Sequence, residues 1–228
     1  ENELRNVYLP PFKAAVDAGD STLMASFSDL DGIPATANRF LMRQILREEW
    51  GFDGFVVSDW ASIEQLSIHG LTEDDRGSAY EAVSAGINME MASTAYSDHL
   101  ADLLAEGHIE IGQIDEMVAA ILKVKFDLGL FENPYTDPAD FPSIANPDHL
   151  AVARKAALQS VVLLQNREQA LPLNVKSLRS LAVIGPLADD PYEQLGTWIF
   201  DGDPQYSQTP LKAIRDMVGD TVTIQHVR

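Results

Sequence analysis

Asp59 and Trp60 stand directly after Phe55-Val56-Val57 and Ser58, an apolar β-branched run entered through Gly54. Such a run reads as a buried strand, and the polar break places a carboxylate and a large aromatic at its C-terminal lip. Aspartate is a poor strand residue and is costly to bury, so its position calls for a reason. In parallel α/β proteins, chemistry is done at the C-terminal ends of strands. An indole offers an apolar face to a pyranose and a carboxylate can attack carbon, so the pair suits a carbohydrate site. Local sequence leaves a second reading open: an Asp59 that caps a helix starting near Ser62.

Other chemistry-bearing residues sort around this one. Met24 and Phe27 fall at the end of an earlier strand-like run and Met91 at the end of a later one. Residues of these types are usually core, but their shared edge with Asp59 and Trp60 makes them candidates to line one pocket. His69 lies on a loop leaving that same edge and is read as a substrate-contacting or loop-ordering residue, with a surface histidine as the alternative. His99, His108, His149 and His226 are scattered without metal-ligand spacing. Glu90 alternates with Met91 and is expected to point away toward helices or solvent; Glu64 is expected at the surface. Ser58 lacks the glycine-flanked elbow and the base that a nucleophilic serine needs. Gly185-Pro186 follows a strand, but without the spaced glycines that wrap a pyrophosphate it reads as a plain turn. No cofactor and no metal are expected.

The elements that must hold these residues alternate. Residues 22–27, 54–58 and 87–91 read as strands. Helical spacing of Leu41, Met42, Ile45, Leu46 and Trp50 fills the first interval, with Gly51 as its stop, and a helix over about residues 78–85 fills the second. This βαβαβ order implies parallel strands with right-handed crossovers. Helices follow over residues 98–106 and 113–128. Residues 131–147 carry Pro134, Pro138, Pro142 and Pro147 without apolar period and read as a linker. A second α/β unit then opens at Asp148, with strands expected at residues 161–164, 181–185 and 221–225 and a helix near residues 211–218. The domain expectation is therefore residues 1–130, a linker 131–147, and residues 148–228.

Composition narrows the partners. Sixteen basic residues against 35 acidic ones leave a formal net charge of −19. That balance argues against nucleic acid and anionic membrane surfaces and fits a neutral substrate. No apolar run approaches the roughly 20 residues of a membrane span. The absence of cysteine removes disulfides and thiol nucleophiles. There is no initiator Met and no targeting signal at the start, and both ends read as cuts through a longer protein.

Several ordered stretches together resemble glycoside hydrolase family 3, in particular its periplasmic bacterial β-glucosidases. They are residues 24–38 (MASFSDLDGIPATAN), 45–60 (ILREEWGFDGFVVSDW), 85–91 (AGINMEM), 121–135 (ILKVKFDLGLFENPY), 161–166 (VVLLQN), 171–173 (LPL) and 182–188 (AVIGPLA). The resemblance implies an α/β fold: the last three β/α units of a TIM-type barrel, followed by the start of an α/β sandwich domain, with the family's active site between the two domains. It implies that Asp59 is the nucleophile of a retaining glycosidase and that Met24, Phe27, Trp60 and Met91 match pocket-wall positions. The implied substrate is a β-glucoside or cello-oligosaccharide, with β-xylosides or N-acetylglucosaminides as alternatives, or a noncatalytic sugar- or partner-binding role. The implied location is periplasmic or secreted. The family's acid/base glutamate falls beyond Arg228 and its other sugar-gripping residues before Glu1, so the isolated chain is expected to be weak or inactive. Phe27 stands where many members carry Tyr, and Asn88 replaces the usual Asp. Three strands of a closed barrel would leave open edges, and self-association through them is expected.

Overall fold

The computed structural model describes all 228 residues, which divide into two compact units, Glu1–Thr136 and Asp137–Arg228. In the first unit, β1 (Thr22–Met24) and β4 (Phe55–Val57) pair in parallel, Thr22 opposite Phe55 and Met24 opposite Val57. On the other side of β4, Val57 bridges Met89 in parallel. β4 is therefore the central strand, as the alternation of the sequence implies. Between β1 and β4 the chain makes a small antiparallel hairpin, β2 (Asp29–Leu30) with β3 (Ile33–Pro34). Its two-residue turn, Asp31-Gly32, takes positive φ at both positions (54° and 83°), the geometry that Asp-Gly favours in tight hairpins.

Helices cover the strands. The chain starts with a π-wound turn, Leu4–Tyr8, running into α1 (Leu9–Asp17). A second π-wound helix, Phe40–Glu49, carries Ile45 and Leu46 into the core. Arg5 joins the two through a bidentate pair with Glu49 (2.7 and 2.8 Å), which holds the Glu49 carboxyl below its ordinary pKa. The short α2 (Gln65–Ile68) follows β4. Next, α3 (Asp75–Ala85) is capped by Asp74, whose carboxylate accepts the Gly77 N–H at 2.8 Å. It ends on Gly86 at φ 94°, where a Cβ would come within 2.8 Å of the Arg43 side chain. The unit continues with α4 (Ala95–Ala105) and α5 (Ile111–Asp127), the latter opened by a reciprocal capping box between Glu110 and Gln113. The core gathers Val56, Ile87, Ile63, Val83, Leu103 and Met117 around the central strand.

Two features fix β4 in place. Gly54 enters it so close to the preceding turn that a Cβ would lie 2.0 Å from the Ser21 carbonyl oxygen, so no other residue fits without backbone movement. Beneath the sheet, the half-buried Arg47 donates from Nη1 to the carbonyls of Phe52 (3.0 Å) and Gly54 (2.6 Å), and from Nη2 to Asn88 Oδ1 (2.8 Å). Asn88 Oδ1 also accepts the Val56 N–H at 2.8 Å. Residues 87–91 do not form the expected strand but meet β4 through the single bridge at Met89, and one amide oxygen ties this third segment to the middle of β4 and to a guanidinium whose pKa burial lowers.

The second unit contains α6 (Pro147–Ser160), then β5 (Ser180–Ile184) and β6 (Thr223–Val227), paired in parallel from Ser180–Thr223 to Ile184–Val227. Between these strands comes α7 (Pro210–Val218), which buries Leu211 and Val218; Thr209 caps it by accepting the Lys212 N–H and donates to Asp189. Residues 161–164 do not form the expected strand. The backbone is extended at Val161, but the segment has no ladder partner and Leu164 is 92% exposed. A β-branched run becomes a strand only when a neighbour takes up its main-chain groups. No helix of the chain is long and apolar enough to cross a membrane.

The Asn88 tie generates a stability prediction. Asn88→Ala leaves a buried N–H and part of a half-buried guanidinium unpaired and is expected to cost about 2–3 kcal/mol in urea unfolding. Asn88→Asp keeps the acceptor and should cost less. Equal stability of the Ala variant and the parent would show that the tie is idle.

Candidate active site

Asp59 sits one residue beyond the last stretch of ladder on the central strand. The ladder below it is bonded on both sides: Phe55 N–H to Ser21 O (3.2 Å) and Ala25 N–H to Val57 O (2.9 Å) toward β1, and Asn88 N–H to Val56 O (2.9 Å) and Ser58 N–H to Met89 O (2.8 Å) toward the third segment. After Ser58 the chain turns, with Ala61 at φ 53°, and Ala61 N–H returns to Met91 O at 2.9 Å. Asp59 is half-buried there. Its Oδ1 accepts the Trp60 N–H at 2.6 Å, and its main-chain carbonyl accepts the Ser62 N–H at 3.1 Å. Asp59 therefore turns the chain toward α2 through its backbone carbonyl, while its carboxylate stays at the strand lip.

The candidate pocket residues divide into two groups. Trp60, 49% exposed, and the half-buried Met91 stand with Asp59 on the turn that the Ala61–Met91 bond closes. Phe27 is half-buried three residues past the end of the β1 ladder. Met24, 54% exposed, lines an apolar groove of about 590 Å³ beside β1, formed with Tyr8, Phe12, Leu41, Ile45 and Trp50; the other candidates do not line this groove. His69 is exposed at the C-terminal end of α2, its N–H bonded to Gln65 O, ten residues beyond Asp59.

Several supporting residues have hydrogen-bonding roles that the sequence does not reveal. Glu90, on the third segment, accepts the N–H groups of Ala95 (2.9 Å, Oε1) and Tyr96 (2.7 Å, Oε2) and the Ser93 hydroxyl (2.5 Å). It turns toward a helix, as alternation suggested, and caps the start of α4. A carboxylate there also complements the helix dipole. Glu64 accepts the Thr94 N–H at 3.2 Å in the same loop. Tyr96 donates to Ile87 O at 2.9 Å from the core, where burial first and the nearby Glu90 second push its phenol well above the ordinary pKa. On the other flank, the buried hydroxyls of Thr36 and Ser62 lie 3.0 Å apart, tying the start of the Asp59–α2 turn to the segment after the hairpin. No cluster of His, Cys, Asp and Glu is arranged to hold a metal ion.

Comparison with known proteins gives this arrangement a setting. The model of the glycosyl hydrolase family 3 N-terminal domain matches residues 1–124, and that of the family's C-terminal domain matches residues 161–227. The chain is 38% identical to a periplasmic β-glucosidase of Salmonella typhimurium over 99% of its own length and 30% of that protein's. It is 33% identical to a β-xylosidase of Formosa agariphila, over 100% of this chain and 34% of the relative. Among solved structures, a β-glucosidase from Listeria innocua in complex with glucose superposes with a TM-score of 0.85 at 36% identity, covering 99% of this chain and 31% of that one. The chain thus spans about a third of the length of the relatives it matches.

The Glu90 cap is separable from the lip that holds Asp59. Glu90→Ala is expected to lose about 1–2 kcal/mol of stability, as for the loss of a good N-cap. It should also speed hydrogen exchange at the Ala95 and Tyr96 amides selectively. Unchanged protection at those two amides would remove Glu90 from the cap.

Proposed function

The chain belongs to glycosyl hydrolase family 3, and from that membership we propose that Asp59 is the nucleophile of a retaining β-glucosidase. The observation that carries the reading is the placement of the Asp59 carboxylate at the C-terminal lip of a strand hydrogen-bonded on both sides, with Trp60 next to it. In the proposed reaction an Asp59 oxygen attacks the anomeric carbon as the bond to the leaving oxygen breaks and that oxygen takes a proton. The resulting glycosyl ester is then attacked by a water that loses its proton to the same acid/base group, releasing the sugar with net retention. Trp60 offers its indole face to the pyranose, with Phe27, Met91, Met24 and His69 proposed as further pocket-wall residues.

The proton donor needs to lie roughly 5–5.5 Å from the nucleophile. Glu64 and Glu90, the neighbouring glutamates, are committed to main-chain N–H groups. We assign the donor instead to a longer enzyme of which this chain is part. In that enzyme, residues 1–130 form the last three β/α units of a TIM-type barrel, 131–147 a linker, and 148–228 the start of an α/β sandwich. The parallel order of β1, β4 and the third segment supports the barrel. The substrate is a β-glucoside or cello-oligosaccharide, and the setting is periplasmic or secreted. A β-xyloside is the second reading, favoured by the likeness to the Formosa agariphila β-xylosidase.

An aryl β-glucoside with a good leaving group needs little acid assistance and so isolates the role of Asp59. In the proposed longer enzyme, Asp59→Ala is expected to lower its turnover by a factor on the order of 10³ or more. Added azide should restore turnover and yield the α-glucosyl azide, because azide attacks from the face the carboxylate vacated. Retention of the parent rate in Asp59→Ala would overturn the assignment. The open edge of β1 and its groove also imply self-association of the isolated chain, which sedimentation velocity should detect as dimers or larger species; a strict monomer across the micromolar range would contradict it.

A further inference from the structure

Ser58 is fully buried, at 0% exposure, and its hydroxyl has no role in the chemistry above. Its Oγ accepts the Met91 N–H at 2.9 Å and donates to the Asp59 carbonyl at 3.0 Å. Met91 lies on the third segment and Asp59 just past the end of β4, so the hydroxyl relays the N–H of one segment to the C=O of the other. It does this at the point where direct ladder bonding has stopped, one residue beyond the Ser58 N–H to Met89 O bond. The Asp59 carbonyl then holds two donors, the Ser58 hydroxyl and the Ser62 N–H, while Ser62 itself is tied to Thr36. The main chain under the Asp59 carboxylate is thereby pinned from the third segment and from the hairpin side.

We propose that Ser58 is a positioning residue for Asp59: its buried hydroxyl bridges Met91 N–H to Asp59 C=O and fixes the direction from which the carboxylate meets the anomeric carbon. The proposal rests on Asp59 being the nucleophile. Neither alanine, which removes the relay, nor cysteine, which fills the space with a weak S–H donor and a weak acceptor, reproduces a hydroxyl that donates and accepts at normal lengths. A misdirected nucleophile loses rate far more than affinity, because reacting atoms must be held near 3–3.5 Å in line.

The test is the covalent labelling of the proposed longer enzyme that contains this chain by a 2-deoxy-2-fluoro-β-glucosyl inactivator, followed by mass spectrometry, with rates corrected for the folded fraction seen in near-UV circular dichroism. Ser58→Ala and Ser58→Cys are both expected to slow the first-order labelling step by about ten- to a hundred-fold while the inactivator's apparent affinity stays within about two-fold. A role in packing alone predicts that Ser58→Cys labels at the parent rate, and that result overturns the proposal even if Ser58→Ala fails to fold. A change confined to affinity would make Ser58 part of the pocket wall and also overturns it. Labelling of the parent at Asp59 with both variants at the parent rate removes Ser58 and leaves the nucleophile standing. No label on Asp59 in the parent form of that longer enzyme removes the nucleophile reading and this inference together.

Discussion

The first unit depends on one strand being hydrogen-bonded on both sides. β4 is three residues long, yet main-chain bonds reach it from Ser21 and Ala25 on one flank and from Asn88 and Met89 on the other. Isolated three-residue strands have no stability of their own, so the bonds count only because the helices bury Val56 and Ile87 beside them. Glycine at position 54 is the condition for the close approach at the strand's entry. Arg47 and Asn88 lock the bottom of the strand, and the Ser58 hydroxyl together with the Ala61–Met91 bond locks the top. Asp59 inherits its position from this arrangement rather than from contacts of its own side chain.

Much of this was legible in the sequence because it depends on local rules. A β-branched run after Gly54 announces a buried strand, and Gly51, at positive φ, marks the end of the helix before it. Helices alternating with short strands imply parallel pairing, and the pairing of Thr22–Met24 with Phe55–Val57 is parallel. The carboxylate at the lip could be found because a charged residue directly after an apolar strand violates the pattern around it. The local sequence could not separate an attacking carboxylate from a turn-former, and the structure shows why. The Asp59 carbonyl makes the turn toward Ser62 while Oδ1 takes only the adjacent Trp60 N–H.

The remainder was illegible because it depends on partners distant in sequence. Nothing local to Ser58 reveals that its hydroxyl meets an amide 33 residues later. Glu90 could be placed on the helix side by alternation, but its role as the cap of α4 requires knowing where Ala95 begins a helix and how the loop folds back. The run at residues 161–164 shows the opposite failure. Its composition says strand, but composition cannot supply the neighbour whose N–H and C=O groups a strand needs, and the run stays exposed without a ladder. The apolar groove along β1 is a similar exposed surface.

The account stands or falls on Asp59 being carried by β4 to the anomeric carbon with its backbone held by Ser58. The most direct measurement is a crystal structure of the chain after reaction with a 2-fluoro glucoside. With Asp59 as the nucleophile, electron density is expected to run continuously from an Asp59 carboxylate oxygen to the anomeric carbon, with Met91 N–H still on Ser58 Oγ and Ser58 Oγ still on the Asp59 carbonyl. An adduct on Glu64 or Glu90, or an Asp59 left free while sugar occupies the strand lip, would contradict it.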